Sequence, residues 1–294
     1  MNFEISHSTI YRYSAPVAQS YHLLHLQPRQ HPRQKVLEHS LTIEPAPASK
    51  TDLIDDFGNP ASIVTIEQDH TTLTFHSRAR ADVQAPGDFD IARSASWNDV
   101  AASLRANRGA EVFEAIVYTC ASRFIRPSRE IHRFARASFP EGRPVLEAVT
   151  DLTARIHQTF AYQAGTTDAA TPVEEVLRLK KGVCQDFAHV GIACLRTMGL
   201  AARYVSGYLL TRPPEGQPKL VGADASHAWF SVWAAETGWV DFDPTNNLTP
   251  KEEHVALAFG RDYHDVSPVS GVLLGGGEHE VEVMVDVNPV PDGA

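Results

Sequence analysis

Three cysteines in 294 residues, Cys120, Cys184 and Cys194, form no even set from which to build a disulfide framework, and a reducing compartment would keep all three as thiols. Basic residues are also outnumbered. The 26 Lys and Arg against 36 Asp and Glu leave a net charge of -10 at neutral pH and a pI near 5.7. That balance argues against a nucleic-acid backbone or an anionic membrane surface as the main partner. No run of about 18 apolar residues occurs, and the amino-terminal MNFEISHSTIYRYSAP lacks a basic stretch followed by an apolar one. The expectation is a cytoplasmic protein with no membrane segment. Internal repeats, low-complexity tracts, paired C-x-x-C motifs and an acidic loop of EF-hand type are absent too, so no zinc, calcium or other cofactor is expected.

What is present is an ordinary globular composition, 43% apolar and 21% charged, in a chain long enough for two units. Residues 1–84 read as β-rich. Leu37, His39, Leu41 and Ile43 alternate with Glu38, Ser40, Thr42 and Glu44 at the two-residue period of a half-buried strand. Ile63–Glu67 and Thr72–Ser77, joined by the polar Gln68–Thr71, predict a hairpin, and Asp55–Pro60 before them is a turn cluster. Five histidines between His7 and His39 show no ligand spacing and are expected to serve packing or the surface.

From Ala85-Pro86-Gly87 the period becomes helical, so residues 85–294 form the second expected unit: a helical segment, a core and a closing strand at Glu280–Val287. Val145, Val149, Leu152, Ile156 and Phe160 make an apolar stripe behind Pro144. Thr171-Pro172-Val173-Glu174 predicts a helix start with Thr171 as N-cap and an end near Gly182. Phe187, Gly191, Cys194, Leu195 and Met198 mark one face of the next helix, with Gly199 as its stop. Ala202–Leu210, Ser226–Ala234 and Gly238–Asp243 read as strands, and Arg212–Gly216 as a loop. The fold class is α+β.

Cys184 begins the second of these helices. The unpaired N–H groups and the positive dipole end there favour a thiolate, the nucleophilic form of cysteine. A thiol nucleophile needs a base, and the base an orienting partner. His227 lies 43 residues on and Asp243 a further 16, on adjacent strand positions that can meet a helix packed on their sheet. Asp224 and Asp241 are the other local carboxylates; Asp224 would have to fold back along its own strand, and Asp243 stands at a strand end before Pro244. A metal set of Cys184, His189 and Cys194 with His227 is disfavoured, because helix positions five apart diverge by about 140°.

GVCQDFAHVGIACLRTMGLAARYVSGY, SHAWFSVW and GWVDFDPTN together resemble the three motifs of the transglutaminase-like superfamily, whose core is a papain-like fold with a cysteine-bearing helix packed on an antiparallel sheet. The likeness is close over about residues 145–247, and residues 1–84 resemble the β-rich amino-terminal domain of bacterial members. It implies a catalytic triad of Cys184, His227 and Asp243, acting on a peptide or protein amide through an acyl-thioester. A peptidase or amidase is the first expectation and a transamidase the second; the different-class alternative is a catalytically silent peptide-binding or assembly module on the same fold. The Cys184 backbone N–H is the first candidate for an oxyanion donor; Gln185 and Tyr162 are side chains that spacing does not support, and the second donor is left unassigned. The calcium dependence of the larger eukaryotic transglutaminases and the zinc ligands of peptide N-glycanases have no counterpart in these residues, and arylamine acetyltransferases carry their related triad in a different motif context.

Overall fold

The computed structural model describes residues 1–106, 110–211 and 226–291; the loop expected at Arg212–Gly216 and the carboxylate of Asp224 fall outside them. β1 (Asn2–Leu24) is the axis of a seven-stranded sheet. Its alternation buries Phe3, Ile5, His7 and Thr9 on one face, and its length lets it take two partners in succession along each side. β2 (Gln34–Glu44), β3 (Ser49–Ile54), β4 (Pro60–Ile66) and β5 (His70–Val83) follow. β4 pairs with the second half of β1, Ser20 opposite Ile66, and β5 with the first half, Asn2 opposite Asp82. These two strands therefore run end to end along β1 and do not form the expected hairpin. β1 is long enough to give each of them its own stretch of backbone partners, so the chain continues past Glu67, Gln68 and Asp69 along the same strand. β2 then pairs with β5 and β3 with β4.

The helical segment consists of α1 (Trp97–Ala106), α2 (Ala110–Ile116), α3 (Arg129–Arg136) and α4 (Val145–Thr159). The predicted stripe of α4 is buried behind Pro144. A two-residue strand β6 (Ala161–Tyr162), helix α5 (Val173–Leu179) and strand β7 (Lys181–Gly182) come next. Pro172, not Thr171, is the N-cap of α5, because the Thr171 hydroxyl is held by Asp168, donating to its carboxylate and accepting from its N–H. The helix stops at Lys180, which takes a left-handed conformation (φ 56°) so that β7 can lie parallel to β6.

α6 (Cys184–Thr197) packs on a four-stranded antiparallel sheet built from β8 (Ala202–Leu209), β9 (Ser226–Ala234), β10 (Gly238–Phe242) and β11 (His254–Gly260), in the order β10-β9-β8-β11. Every α6 residue from Asp186 to Arg196 is buried, so the helix is covered all round rather than on one face: Ala188, Val190, Ile192 and Ala193 fill the sides that the predicted stripe leaves out. Gly191 sets the approach to the sheet, since a Cβ there would lie 2.5 Å from the Phe230 ring. Gly199, at φ +82°, ends the helix turn as expected. No described helix is long and apolar enough to cross a membrane.

After the short helix α7 (Tyr263–Val266) the chain returns to the first sheet. β12 (Val269–Gly275) and β13 (His279–Val290) lie along the free side of β1, Leu24 opposite Val269 and Asn2 opposite Val290. The closing strand thus belongs to the amino-terminal sheet and not with the core that precedes it in sequence. It covers an edge of β1 that would otherwise expose its backbone, and buries Val285 and Val287 with Phe3 and Ile5. Two buried amides join the sheets. The Gln34 side chain donates to the Ala256 carbonyl (2.7 Å) and accepts from its N–H (2.8 Å), and the Asn59 side chain does the same at Phe259, at 2.8 Å each way. Of the five histidines, His7, His22 and His25 are buried, His7 between Tyr208 and Thr9, while His31 and His39 are partly exposed.

Candidate active site

Cys184 occupies the first turn of α6 and is half-buried. Its approach is fixed by Asp186, whose Oδ2 accepts from the Val183 N–H (2.8 Å) and the Thr167 hydroxyl (2.7 Å). Burial raises the Asp186 pKa, and those two bonds only partly offset it. Gly182 is required at this turn because a Cβ would lie 2.5 Å from the same oxygen.

His227 stands near the start of β9, opposite Gly207 of β8, where a Cβ would strike the Val255 carbonyl and the Trp229 ring. Asp243 follows β10 and pairs with Leu248 across a tight loop, fully buried. Nε2 of His227 is 2.7 Å from Oδ2 of Asp243, and the Cys184 thiol lies near enough to the imidazole to help raise its pKa. The fold therefore brings the three sequence-derived residues together. Burial works against a charged imidazole, but the bond to Asp243 and the nearby Cys184 thiol outweigh it and hold the His227 pKa up at about 9. Burial likewise opposes the Asp243 carboxylate, and its donors, His227 first, outweigh this and keep it ionised well below the usual range. At neutral pH an imidazolium stands beside a carboxylate and a sulfur.

Asp241 is elsewhere. Its carboxylate is taken by Arg33 and the Ser231 hydroxyl. Asp243 has further donors: Oδ1 accepts from the N–H groups of Thr245 (2.9 Å) and Asn246 (3.1 Å), and Oδ2 from the Asn246 side chain (2.7 Å) and His254 Nε2 (3.2 Å). The first two were legible in D-P-T-N, since an aspartate often bonds the N–H two or three residues on. His254 enters from β11, and nothing in its local sequence announces it.

Among the described residues, His227, Asp243 and His254 are the one group able to offer three ligand atoms, all within 4.8 Å of one another. Asp243 Oδ2 is already bonded to both rings, so a cation would have to displace those protons. Cys184, His189 and Cys194 do not form such a group: His189 accepts from the Tyr263 N–H, and Cys194 is buried, its thiol pushed up to about 12 by burial. Of the side chains considered for the oxyanion, Gln185 is turned to the Ala169 carbonyl (3.0 Å). Tyr162, opposite Gly182 in the short parallel pair, has a phenol whose pKa is raised by partial burial and then by the neighbouring Cys184.

A cysteine helix on an antiparallel sheet that carries histidine and aspartate defines a papain-like thiol-enzyme fold. The chain belongs to the transglutaminase-like superfamily: residues 133–244 match the model of that superfamily, and residues 3–82 match the bacterial transglutaminase-like N-terminal region. An uncharacterized Mycobacterium tuberculosis protein is 38% identical over 98% of this chain and 92% of its own, and one from Mycobacterium leprae is 31% identical over 96% and 97%. A protein-glutamine gamma-glutamyltransferase of Pseudomonas aeruginosa is 32% identical over 39% of this chain and only 18% of its own. Among solved structures, a candidate cysteine protease from Cytophaga hutchinsonii aligns with a TM-score of 0.76 over 99% of this chain and 92% of its own, at 21% identity, a likeness of fold.

Proposed function

We propose that the protein is a thiol-dependent acyl-transfer enzyme acting on amide or peptide bonds, with hydrolysis as its main reaction. The observation that carries this reading is the 2.7 Å bond of His227 to Asp243 beside Cys184, which opens a buried helix. Cys184 sulfur attacks the amide carbonyl while its proton resides on His227. The resulting oxyanion is met by the Cys184 backbone N–H. Collapse breaks the C–N bond, the amine leaves with the proton from His227, and an acyl-thioester remains on Cys184. Water, deprotonated by His227, then releases the acid and regenerates the thiol. Asp243 holds the ring and favours its charged form throughout. A primary amine in place of water gives transamidation, and the partial match to a protein-glutamine gamma-glutamyltransferase keeps that acceptor as the second reading.

The test is a peptide and protein-amide library assayed for hydrolysis and for incorporation of a primary amine, with wild-type protein beside Cys184→Ala. Turnover in the wild type that vanishes in the variant is expected. Turnover that survives in Cys184→Ala sinks the assignment, and a wild type inert in both assays favours a silent peptide-binding module.

A further inference from the structure

We infer that His254 is a positioning residue of this site: together with Asn246 it clamps the Asp243 carboxylate so that Oδ2 stays presented to His227. The inference rests on the thiol acyl-transfer reading above. His254 opens β11, a strand that contributes no other side chain to the triad, and its Nε2 lies 3.2 Å from Asp243 Oδ2. The bond requires the proton on Nε2, because a carboxylate can only accept.

Packing alone does not account for the ring. His254 is 6% exposed, and its Nδ1 is buried without a hydrogen-bond partner among the described residues. An apolar side chain of similar size would fill the same space and leave no unpaired nitrogen, so the imidazole is retained at a cost in stability. What it gains is the bond to Asp243. The Trp229 ring meets His254 edge to face at 5.2 Å and also flanks His227 at 5.9 Å, and the Asp243 carboxylate that both imidazoles meet is fully buried. Asn246 and His254 approach the same oxygen as His227, and with all three donors in place Asp243 has little freedom to rotate. The charged or titratable side chains bonded to this carboxylate are His227 and His254, and His227 lies beside Cys184 in addition.

The experiment needs no substrate. The rate at which iodoacetate carboxymethylates Cys184 is measured against pH for wild type, His254→Phe, which keeps an aromatic ring but no donor, and His254→Gln, which keeps a donor. Iodoacetate is an anion drawn by the His227 imidazolium, so its rate falls at alkaline pH when that proton leaves. Expected is a loss of about tenfold to 100-fold at neutral pH in His254→Phe, as for other residues that orient a functional ligand. Its alkaline limb should move to lower pH by about one unit, since a loosened Asp243 supports the imidazolium less. His254→Gln should recover most of both. A wild-type rate and limb in His254→Phe overturns the inference. So does equal slowing in both variants with an unmoved limb, which is what a purely structural residue would give. Should His254→Phe not fold, His254→Asn, too short to reach Asp243, is read by the same criteria. A wild-type Cys184 no faster than an ordinary thiol overturns the acyl-transfer reading and this inference with it; a fast Cys184 indifferent to residue 254 removes the inference alone.

Discussion

Nε2 of His227 and Oδ2 of Asp243 meet at 2.7 Å although one lies on β9 and the other beyond the end of β10. The contact is possible because β10 stops at Phe242, paired with Phe230, and the chain beyond it turns back at Asp243 to bond Leu248. Substituting Asp243→Asn keeps the shape and removes the charge. A rate loss on the order of 10⁴ is expected, the size seen when a triad loses its orienting carboxylate. Asp241→Asn should weaken the tie to Arg33 and leave the rate within a few-fold by the same measure of triad dependence. Steady-state kinetics of both variants decide the matter; collapse in Asp241→Asn with survival in Asp243→Asn would reverse the assignment.

The three thiols should separate by reactivity. Cys194 is buried with its pKa pushed up to about 12, Cys120 is exposed with its thiol turned to the Ile116 carbonyl, and Cys184 lies beside His227. Iodoacetamide at neutral pH followed by peptide mass mapping is expected to mark Cys184 first, Cys120 slowly and Cys194 not at all. Equal rates at Cys184 and Cys120 would count against an activated nucleophile.

The pH range follows from the two shifts. His227 binds its proton more tightly in the folded state, so its contribution to stability is complete below 6.5 and is lost as the pH rises through about 9. Asp243 is depressed, so its contribution is complete above its ordinary 3.8 and is lost as the pH falls toward its folded value. Denaturant midpoints measured from acid to alkaline pH should therefore decline at both ends, and Asp243→Asn should flatten the alkaline decline. An unchanged alkaline decline in that variant would place its cause outside this pair.

Gly191 offers a test of the helix seat. An added methyl would press on the Phe230 ring, and Gly191→Ala should cost about 1–3 kcal/mol, the usual range for overpacking. Phe230→Leu in the same chain should recover part of the loss. Urea denaturation of the single and double variants measures it, and a neutral Gly191→Ala would show that α6 can lift from β9.

Much of the site was legible because its clues are local. Gly182 before Cys184, the alternation around His227 and the D-P-T-N run after Asp243 each describe a few consecutive residues, and each marks a turn, a helix start or a strand end. His254 was not legible, since its role depends on β11 lying beside β8 and not on its neighbours in sequence. The same reason explains the sheet. Ile63–Glu67 and Thr72–Ser77 carry the right strand pattern, but whether they face each other or share β1 is a matter of long-range register. The return of β13 to β1 spans almost the whole chain, with Asn2 opposite Val290.

The amides of Gln34 and Asn59 carry a consequence for how the molecule can be divided. β8 satisfies one margin of β11, and these two side chains, both from the first 84 residues, take up backbone groups of Ala256 and Phe259 on the other. A fragment beginning at residue 85 would keep Cys184, His227, Asp243 and His254 yet bare that margin, a ready template for pairing with another copy. Self-association of such a fragment, relieved when residues 1–84 are supplied in trans, is the expected behaviour in sedimentation, and it would make the amino-terminal sheet a built-in guard against aggregation.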